Sequence, residues 1–364
     1  MANKAKILFM LQVPPPVHGA ALRNKSLIES KEIKDNFNIK LLPINFADSI
    51  ADIGKMSIKK IAKVIIYWFR LALALVSRPN AVYFTISPFG TPFLRDVFYV
   101  ALVRLFGVKR IFHLRGLGIK KSYEGKFKKL LYDFAFKNAY VIILNNNQFE
   151  DVSFLPYKEC FVVPNGMKDE ASEFLNSNIK QESTLLYLSN YVKDKGALLF
   201  VDLVEALIRK GYNIKALMAG ADADVTKIQI ENLLTEKGID ENVEVNGPIF
   251  EKQKFELYAK ASIFIFPSFI DLNPGVVIEA MQSKLPVVST PIGGIPEIVD
   301  DNETGFIVPE ITVKEFVAKT EILLNDSKLR EDFGNNGRAK YLKMYNQESF
   351  ENNIRDTFYK ILQQ

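Results

Sequence analysis

Twelve short apolar runs, separated by helical stretches, constrain this chain more than any other feature. Six fall in the first half, at 7–11, 39–42, 81–85, 110–113, 141–144 and 161–163. Six fall in the second, at 185–188, 214–219, 242–245, 263–266, 286–289 and 305–308. Runs this short suit strands, and their alternation with helices predicts parallel sheets covered by helices on both faces. A chain of 364 residues exceeds what one hydrophobic core ordinarily supports, so two α/β domains are expected. The polar stretch 166–182 lacks an apolar period and reads as the linker between them. In such sheets ligands bind beyond the carboxyl ends of the strands.

Charge separates the halves. Residues 1–165 hold 25 Lys and Arg against 11 Asp and Glu, whereas residues 166–364 hold 22 against 31. The basic half suits phosphates or an anionic membrane surface, and with no base-stacking motif beside the charge, nucleic acid is not expected. One cysteine, Cys160, and two histidines, His18 and His113, leave no His/Cys metal site. They also leave no intrachain disulfide, which fits a reducing compartment. The amino-terminal apolar run has no small-residue cleavage site before Pro14-Pro15-Pro16, so it reads as a first strand. Residues 58–78 are strongly apolar but carry Lys63 and Arg70, which leaves too short a run for a membrane span. A helix packed on its own sheet is expected there, with interfacial contact through Trp68 and the flanking lysines as the rival. Residues 120–137 form a basic amphipathic stretch, which fits a membrane surface or a solvated face equally.

The chemistry concentrates in 263–299. A buried run leads into Pro267-Ser268, then an acidic loop with Asp271 and Asn273-Pro274-Gly275, then a helix carrying Val276 and Glu279. A glycine at a helix start leaves backbone N–H groups facing outward, and the positive helix end attracts an anion. Glu279, about one turn further on, places a carboxylate where sugar hydroxyls would lie. Earlier in the same half, Lys195-Gly196 follows a strand and supplies an ammonium for a diphosphate leaving group. A lone Lys-Gly pair is ordinarily a turn, and a lone helical Glu is ordinarily solvated. Only spacing and company set these apart.

The ordered set Val163-Pro164-Asn165-Gly166, Lys195-Gly196, Pro267-Ser268, Asp271 with Glu279, Pro286-Val287-Val288 and Gly293-Gly294-Ile295-Pro296-Glu297 resembles retaining glycosyltransferases of family 4. The resemblance is specific over 160–310 and looser before it. It implies the GT-B fold: two Rossmann-like domains with parallel sheets facing across a cleft. The first, 1–168, would bind the acceptor, and a C-terminal helix at 345–364 would pack back on it. The second, 169–344, would bind a nucleoside-diphosphate sugar.

By the same resemblance Glu279 holds the ribose hydroxyls, and Asp271 contacts the transferred sugar. Lys195 and the N–H groups of Gly275 and Val276 meet the diphosphate, with Asn190 and Asn273 in the same loops. Gly19 lets the first loop approach the phosphate, and His113 stands near the reacting sugar. The family implies retention of configuration without a metal or other cofactor. The basic first half and its apolar-basic helices, with the family's frequent role in surface polysaccharide assembly, point to a lipid-linked saccharide acceptor in a bacterium. The place of action would be the cytoplasm, peripheral at the inner face of the plasma membrane.

The chain departs from the family pattern at Asp271, where Glu is usual, and at Asn190, where an Arg is common. Pro274 and Lys284 stand where glycine is frequent, and His18-Gly19 replaces two glycines. The rivals are a nucleotide-sugar 2-epimerase of the same fold and a non-catalytic nucleotide-sugar-binding protein.

Overall fold

The computed structural model describes residues 4–15, 19–46, 58–175 and 183–364. Two compact units emerge: Met1–Met167 with Gln347–Gln364, and Lys168–Asn346. In the first, β1 (Lys6–Leu11), β2 (Asn38–Pro43), β3 (Ala81–Phe84), β4 (Lys109–His113), β5 (Tyr140–Ile143) and β6 (Glu159–Val162) form one sheet. Its order is β2-β1-β3-β4-β5-β6, and every pairing is parallel. In the second, β7 (Thr184–Leu188), β8 (Lys215–Ala219), β9 (Val243–Asn246), β10 (Ile263–Phe266), β11 (Val287–Ser289) and β12 (Gly305–Ile307) form another. Its order is β12-β11-β10-β7-β8-β9, again all parallel. The strands lie where the apolar runs predict them, with ends shifted by a residue or two.

The central strands, such as β3 and β10, are apolar along their length because both faces are covered, whereas the edge strands β2, β6 and β9 are partly polar and exposed. In the first unit, alternate side chains feed two separate cores. Leu8, Met10, Val82, Phe84 and Phe112 face the helices Ile58–Val76, Gly90–Leu105 and Lys126–Phe136. Ile7, Phe9, Tyr83 and Ile111 face the other way. That second face is closed by the last helix, Gln347–Gln363, through Phe350, Ile354, Phe358 and Ile361. The Phe358 ring sits 5.4 Å from Tyr83, 5.6 Å from Phe37 and 6.0 Å from Phe9, in edge-on contacts that add to simple area burial.

The start of the second unit is clamped by one amide. Buried Gln282 accepts the N–H groups of Glu170 at 3.0 Å and Ala171 at 2.9 Å, and donates to Lys168 O at 2.7 Å. Arg338 adds a two-pronged pair with Asp169.

The basic stretch 120–137 is not one helix. It divides into Ile119–Ser122 and Lys126–Phe136, because Gly125 between them takes φ +92°, a backbone region closed to most side chains.

Lys284 has φ +57° just past the helix Gly275–Gln282, the left-handed position where helices commonly end on glycine. Lys284→Gly is therefore expected to stabilise the second unit by up to about 1 kcal/mol, the left-handed penalty less glycine's added chain entropy. An unchanged or lowered urea midpoint would contradict this.

Candidate functional site

In the second sheet β7 and β10 are neighbours, yet the chain runs outward from β7 to β8 on one side and from β10 to β11 on the other. This reversal is the switch point where open parallel sheets bind ligands. The loops leaving both strands are locked together there. Phe269 N–H donates to Asp194 O at 2.8 Å, and Thr290 Oγ1 to Ser268 O at 2.8 Å. Gly196 at φ +78° lies so close to Pro267 that a Cβ would fall 2.1 Å from its carbonyl oxygen. Gly293 meets Asp271 in the same way, at 1.8 Å, and Gly294 N–H donates to Leu272 O at 2.8 Å. The Gly293-Gly294 turn thus supports the acidic loop from below.

Lys195 closes a short 3-10 turn, Lys193–Lys195, after β7. Its Nζ donates to Asp271 Oδ2 at 2.6 Å and to Ile270 O at 2.7 Å. Both side chains are partly exposed, so the ammonium can trade these acceptors for an incoming phosphate. Asp271 Oδ1 also accepts Asn273 N–H at 3.2 Å, folding the loop on itself, and Asn273 Nδ2 is buried with no partner among the described residues. The shorter acid at 271 is thereby engaged by its own loop and by Lys195. Asn190 lies apart from this pair and accepts Ala221 N–H at 3.3 Å.

The helix Gly275–Gln282 starts from Pro274, whose carbonyl accepts Val277 N–H at 3.2 Å, with no side-chain cap. The N–H groups of Gly275 and Val276 precede the helical ladder. Proline has no side-chain oxygen to compete for them, so its cost of one N–H leaves an uncapped, positive helix end.

Glu279 is 9% exposed and held in place. Lys254 Nζ lies 2.6 Å from Oε1, and Tyr258 Oη lies 3.2 Å from Oε2 and 2.9 Å from Val276 O. Burial, then the Glu279 carboxylate, pushes the Tyr258 phenol well above its usual range, so it stays a donor. Lys254 and Tyr258 both come from the helix Glu251–Lys260. Neither was read from the sequence, since no motif marks that helix.

In the first unit Gly19 opens the helix Gly19–Glu29, and His18 lies outside the described residues. His113 ends β4 and is 0% exposed. Its Nδ1 is 2.5 Å from Tyr83 Oη, while Nε2 is buried with no partner among the described residues. Burial holds Tyr83 above the ordinary phenol value, so the phenol keeps its proton and shares a hydrogen bond with Nδ1. The neutral ring leaves Nε2 as a buried polar atom still to be satisfied. Such groups are rare and call for an explanation. Beside it Arg115 donates from Nη1 to Asn165 Oδ1 at 2.7 Å and interacts with the Tyr83 phenol. Tyr83 and Arg115 were not singled out in the sequence, because a buried strand residue and one arginine among many carry no local mark.

Burial, then the nearby Arg115 charge, holds the His113 imidazole well below its usual range. The unfolded chain therefore binds a proton near pH 6.5 that the folded unit refuses. Stability from this group is full above that value and is lost as pH falls toward the depressed folded-state value. The expected slope is up to about 1.4 kcal/mol per pH unit below about pH 6.5. His113→Gln should remove that part of the pH dependence of thermal unfolding; an unchanged profile would contradict the assignment.

The two six-stranded parallel sheets define a class. A solved glycosyltransferase from Rickettsia africae superposes with a TM-score of 0.74 at 16% identity, covering 99% of each chain. Anabaena HepE, solved with UDP and glucose, superposes with 0.73 at 15%, covering 98% of this chain and 99% of that one. At such identities the likeness shows the fold, which is that of the GT-B glycosyltransferases. Residues 168–340, nearly all of the second unit, match the model of the family described as glycosyl transferases group 1. The capsular polysaccharide biosynthesis glycosyltransferase CapM of Staphylococcus aureus is 30% identical over 179 residues, 48% of this chain and 44% of that protein. The chain spans about half the length of the first curated relatives it matches.

Proposed function

We propose that the chain is a retaining glycosyltransferase that moves a sugar from a nucleoside-diphosphate sugar to a hydroxyl of a saccharide acceptor. One observation carries this reading: at the β7/β10 switch point one unit holds an ammonium, an uncapped helix end and two acids. Lys195 and the N–H groups of Gly275 and Val276 take the diphosphate, with Asn190 and Asn273 shaping the loops around it. Glu279 takes the ribose hydroxyls. A carboxylate offers about four lone-pair positions, and Lys254 and Tyr258 occupy two of them, so a diol finds two more already oriented.

In the reaction the bond from the anomeric carbon to the diphosphate oxygen breaks, and the acceptor oxygen takes its place. The acceptor's proton leaves with the diphosphate. Charge grows on the leaving group, so Lys195 and the helix end stabilise the transition state more than the ground state. Asp271 serves the hydroxyls of the transferred sugar; in the first unit, the family resemblance assigns His113 to the reacting sugar and Gly19 to the phosphate. Retention of configuration, without a metal, follows the family resemblance. With the basic first half and its apolar-basic helices, it also points to a lipid-linked acceptor and a peripheral place at the inner face of the plasma membrane, in surface polysaccharide assembly like that named for CapM.

Incubating the protein with a panel of nucleoside-diphosphate sugars, with no acceptor added, tests the reaction class. Slow release of free nucleoside diphosphate supports the transferase. Epimerised donor would instead show a nucleotide-sugar 2-epimerase, and binding with no turnover of any donor a non-catalytic binder.

A further inference from the structure

The helix Ile58–Val76 is apolar on two opposite faces. Val64, Tyr67, Trp68, Leu71, Ala74 and Leu75 pack on the sheet. On the outward side, Ile61, Ile65, Phe69, Leu73 and Val76 recur at helical spacing and are 51%, 51%, 59%, 73% and 68% exposed. A helix of a soluble domain ordinarily turns a polar face outward. The stripe continues onto the neighbouring helix Gly90–Leu105, where Leu94, Phe98 and Leu105 are exposed. Trp68 joins the two, its ring 5.3 Å from Phe69 and stacked 5.6 Å from Phe98. A third helix, Lys126–Phe136, adds exposed Phe127 and Leu130. Scattered exposed apolar side chains need no explanation, but a continuous field of them marks an interaction surface.

Charge tells what covers this field. Lys59, Lys60 and Lys63 lie at the amino end of the first helix, and Lys126, Lys128 and Lys129 at that of the third. The only acids on the three helices are Asp96 and Asp133. Asp96 is fully buried against Arg95, and Asp133 accepts from Tyr123 Oη at 2.7 Å. Apolar side chains rimmed by lysines, with no outward acid on these helices, match an anionic lipid surface: the chains enter the headgroup layer and the lysines meet phosphates. None of the described helices is long and apolar enough to cross a membrane, so the contact lies along the surface.

We infer that the outward face of the helices Ile58–Val76, Gly90–Leu105 and Lys126–Phe136 docks on an anionic bilayer. The topology gives the docking a direction. Each helix follows a strand of the parallel sheet and runs back against it, so the lysine-bearing amino ends of the first and third sit at the carboxyl edge of the strands. That is the edge where such sheets take ligands, and the lysines hold it at headgroup level, where the head of a lipid-linked saccharide lies. The bilayer contact stands on the face alone; its use in delivering the acceptor rests on the transferase reading.

Flotation of the full chain with phosphatidylcholine vesicles, and with vesicles rich in phosphatidylglycerol, tests this. Binding is expected to the anionic vesicles at low salt and to weaken at high salt, where charges are screened. Phe69→Asp with Leu73→Asp alters only exposed positions and is expected to lower vesicle partitioning at least about tenfold. Binding of a nucleoside diphosphate in solution should be unchanged in that variant, which separates failure of the docking from failure of the donor site. Wild type that ignores anionic vesicles would overturn the inference, as would a double aspartate variant that binds like wild type. A dimer that this variant dissociates, with no vesicle binding, would assign the face to a second copy instead.

Discussion

Replacing Lys195 by alanine is expected to lower kcat/KM by about 10²–10³-fold, the usual cost of removing one group that faces developing negative charge. The ammonium lies at the end of the β7 loop and now spends its hydrogens on Asp271 and Ile270 O. With Lys195 gone, the growing charge on the diphosphate meets only the helix-end N–H groups, and Asp271 loses its cation. Stability should change little, because a partly exposed pair contributes at most about 1 kcal/mol. A large activity loss with a near-native melting temperature therefore marks a group acting on the leaving diphosphate. Lys195→Arg should recover part of the rate, since charge is retained. Activity within about threefold of wild type in the alanine variant would remove Lys195 from the reaction.

The second large effect is expected at Glu279, where glutamine should raise the donor KM by about 30–150-fold. Two hydrogen bonds from a sugar diol to a charged acceptor, each worth about 1.5–3 kcal/mol, weaken when the acceptor becomes neutral. The amide also carries an NH2 group that must face either Lys254 and Tyr258, already donors toward this position, or the incoming hydroxyls. Either orientation sets donor against donor. Turnover at saturating donor should fall less than kcat/KM, because ribose contacts are alike in ground and transition states. Combining Glu279→Gln with Lys254→Met tests the pairing: if Lys254 acts by orienting the carboxylate, the two effects are not additive. An unchanged donor KM in Glu279→Gln would sink the ribose assignment.

Much of the fold was legible because strands buried on both faces must be apolar throughout. A run such as Ile263 to Phe266 can be little else when a proline-bounded loop and a helix follow it. The loops of the candidate site were legible for a related reason. Gly196 and Gly293 stand where any Cβ would strike a backbone oxygen, and such positions leave marks in the sequence. The partners of the site residues were not legible. Lys254 lies 25 positions before Glu279 on a helix without a motif, and Asp271 meets Lys195 across 76 positions. Both pairings follow from the strand order, which places β10 beside β7.

The helix Ile58–Val76 shows another limit. With apolar residues on two faces its periodicity does not tell which side meets the sheet, and the expectation of a helix simply packed on its own core holds for the inner face only. The stretch 120–137 reads as one helix by pattern, yet Gly125 breaks it. The reading of Pro274 needed only an addition. The sequence already places a helix start after it, and the structure adds that this start has no side-chain cap.

The central claim is that the β7/β10 loops form a nucleoside-diphosphate site. Calorimetric titration of the full chain with a panel of nucleoside diphosphates, and with the matching nucleosides, tests it most directly when wild type and Lys195→Ala are compared. The account predicts saturable binding of at least one diphosphate, much weaker binding of its nucleoside, and a loss of about tenfold or more in affinity when Lys195 is removed. Equal affinity of nucleoside and diphosphate, or equal binding by wild type and variant, would contradict it.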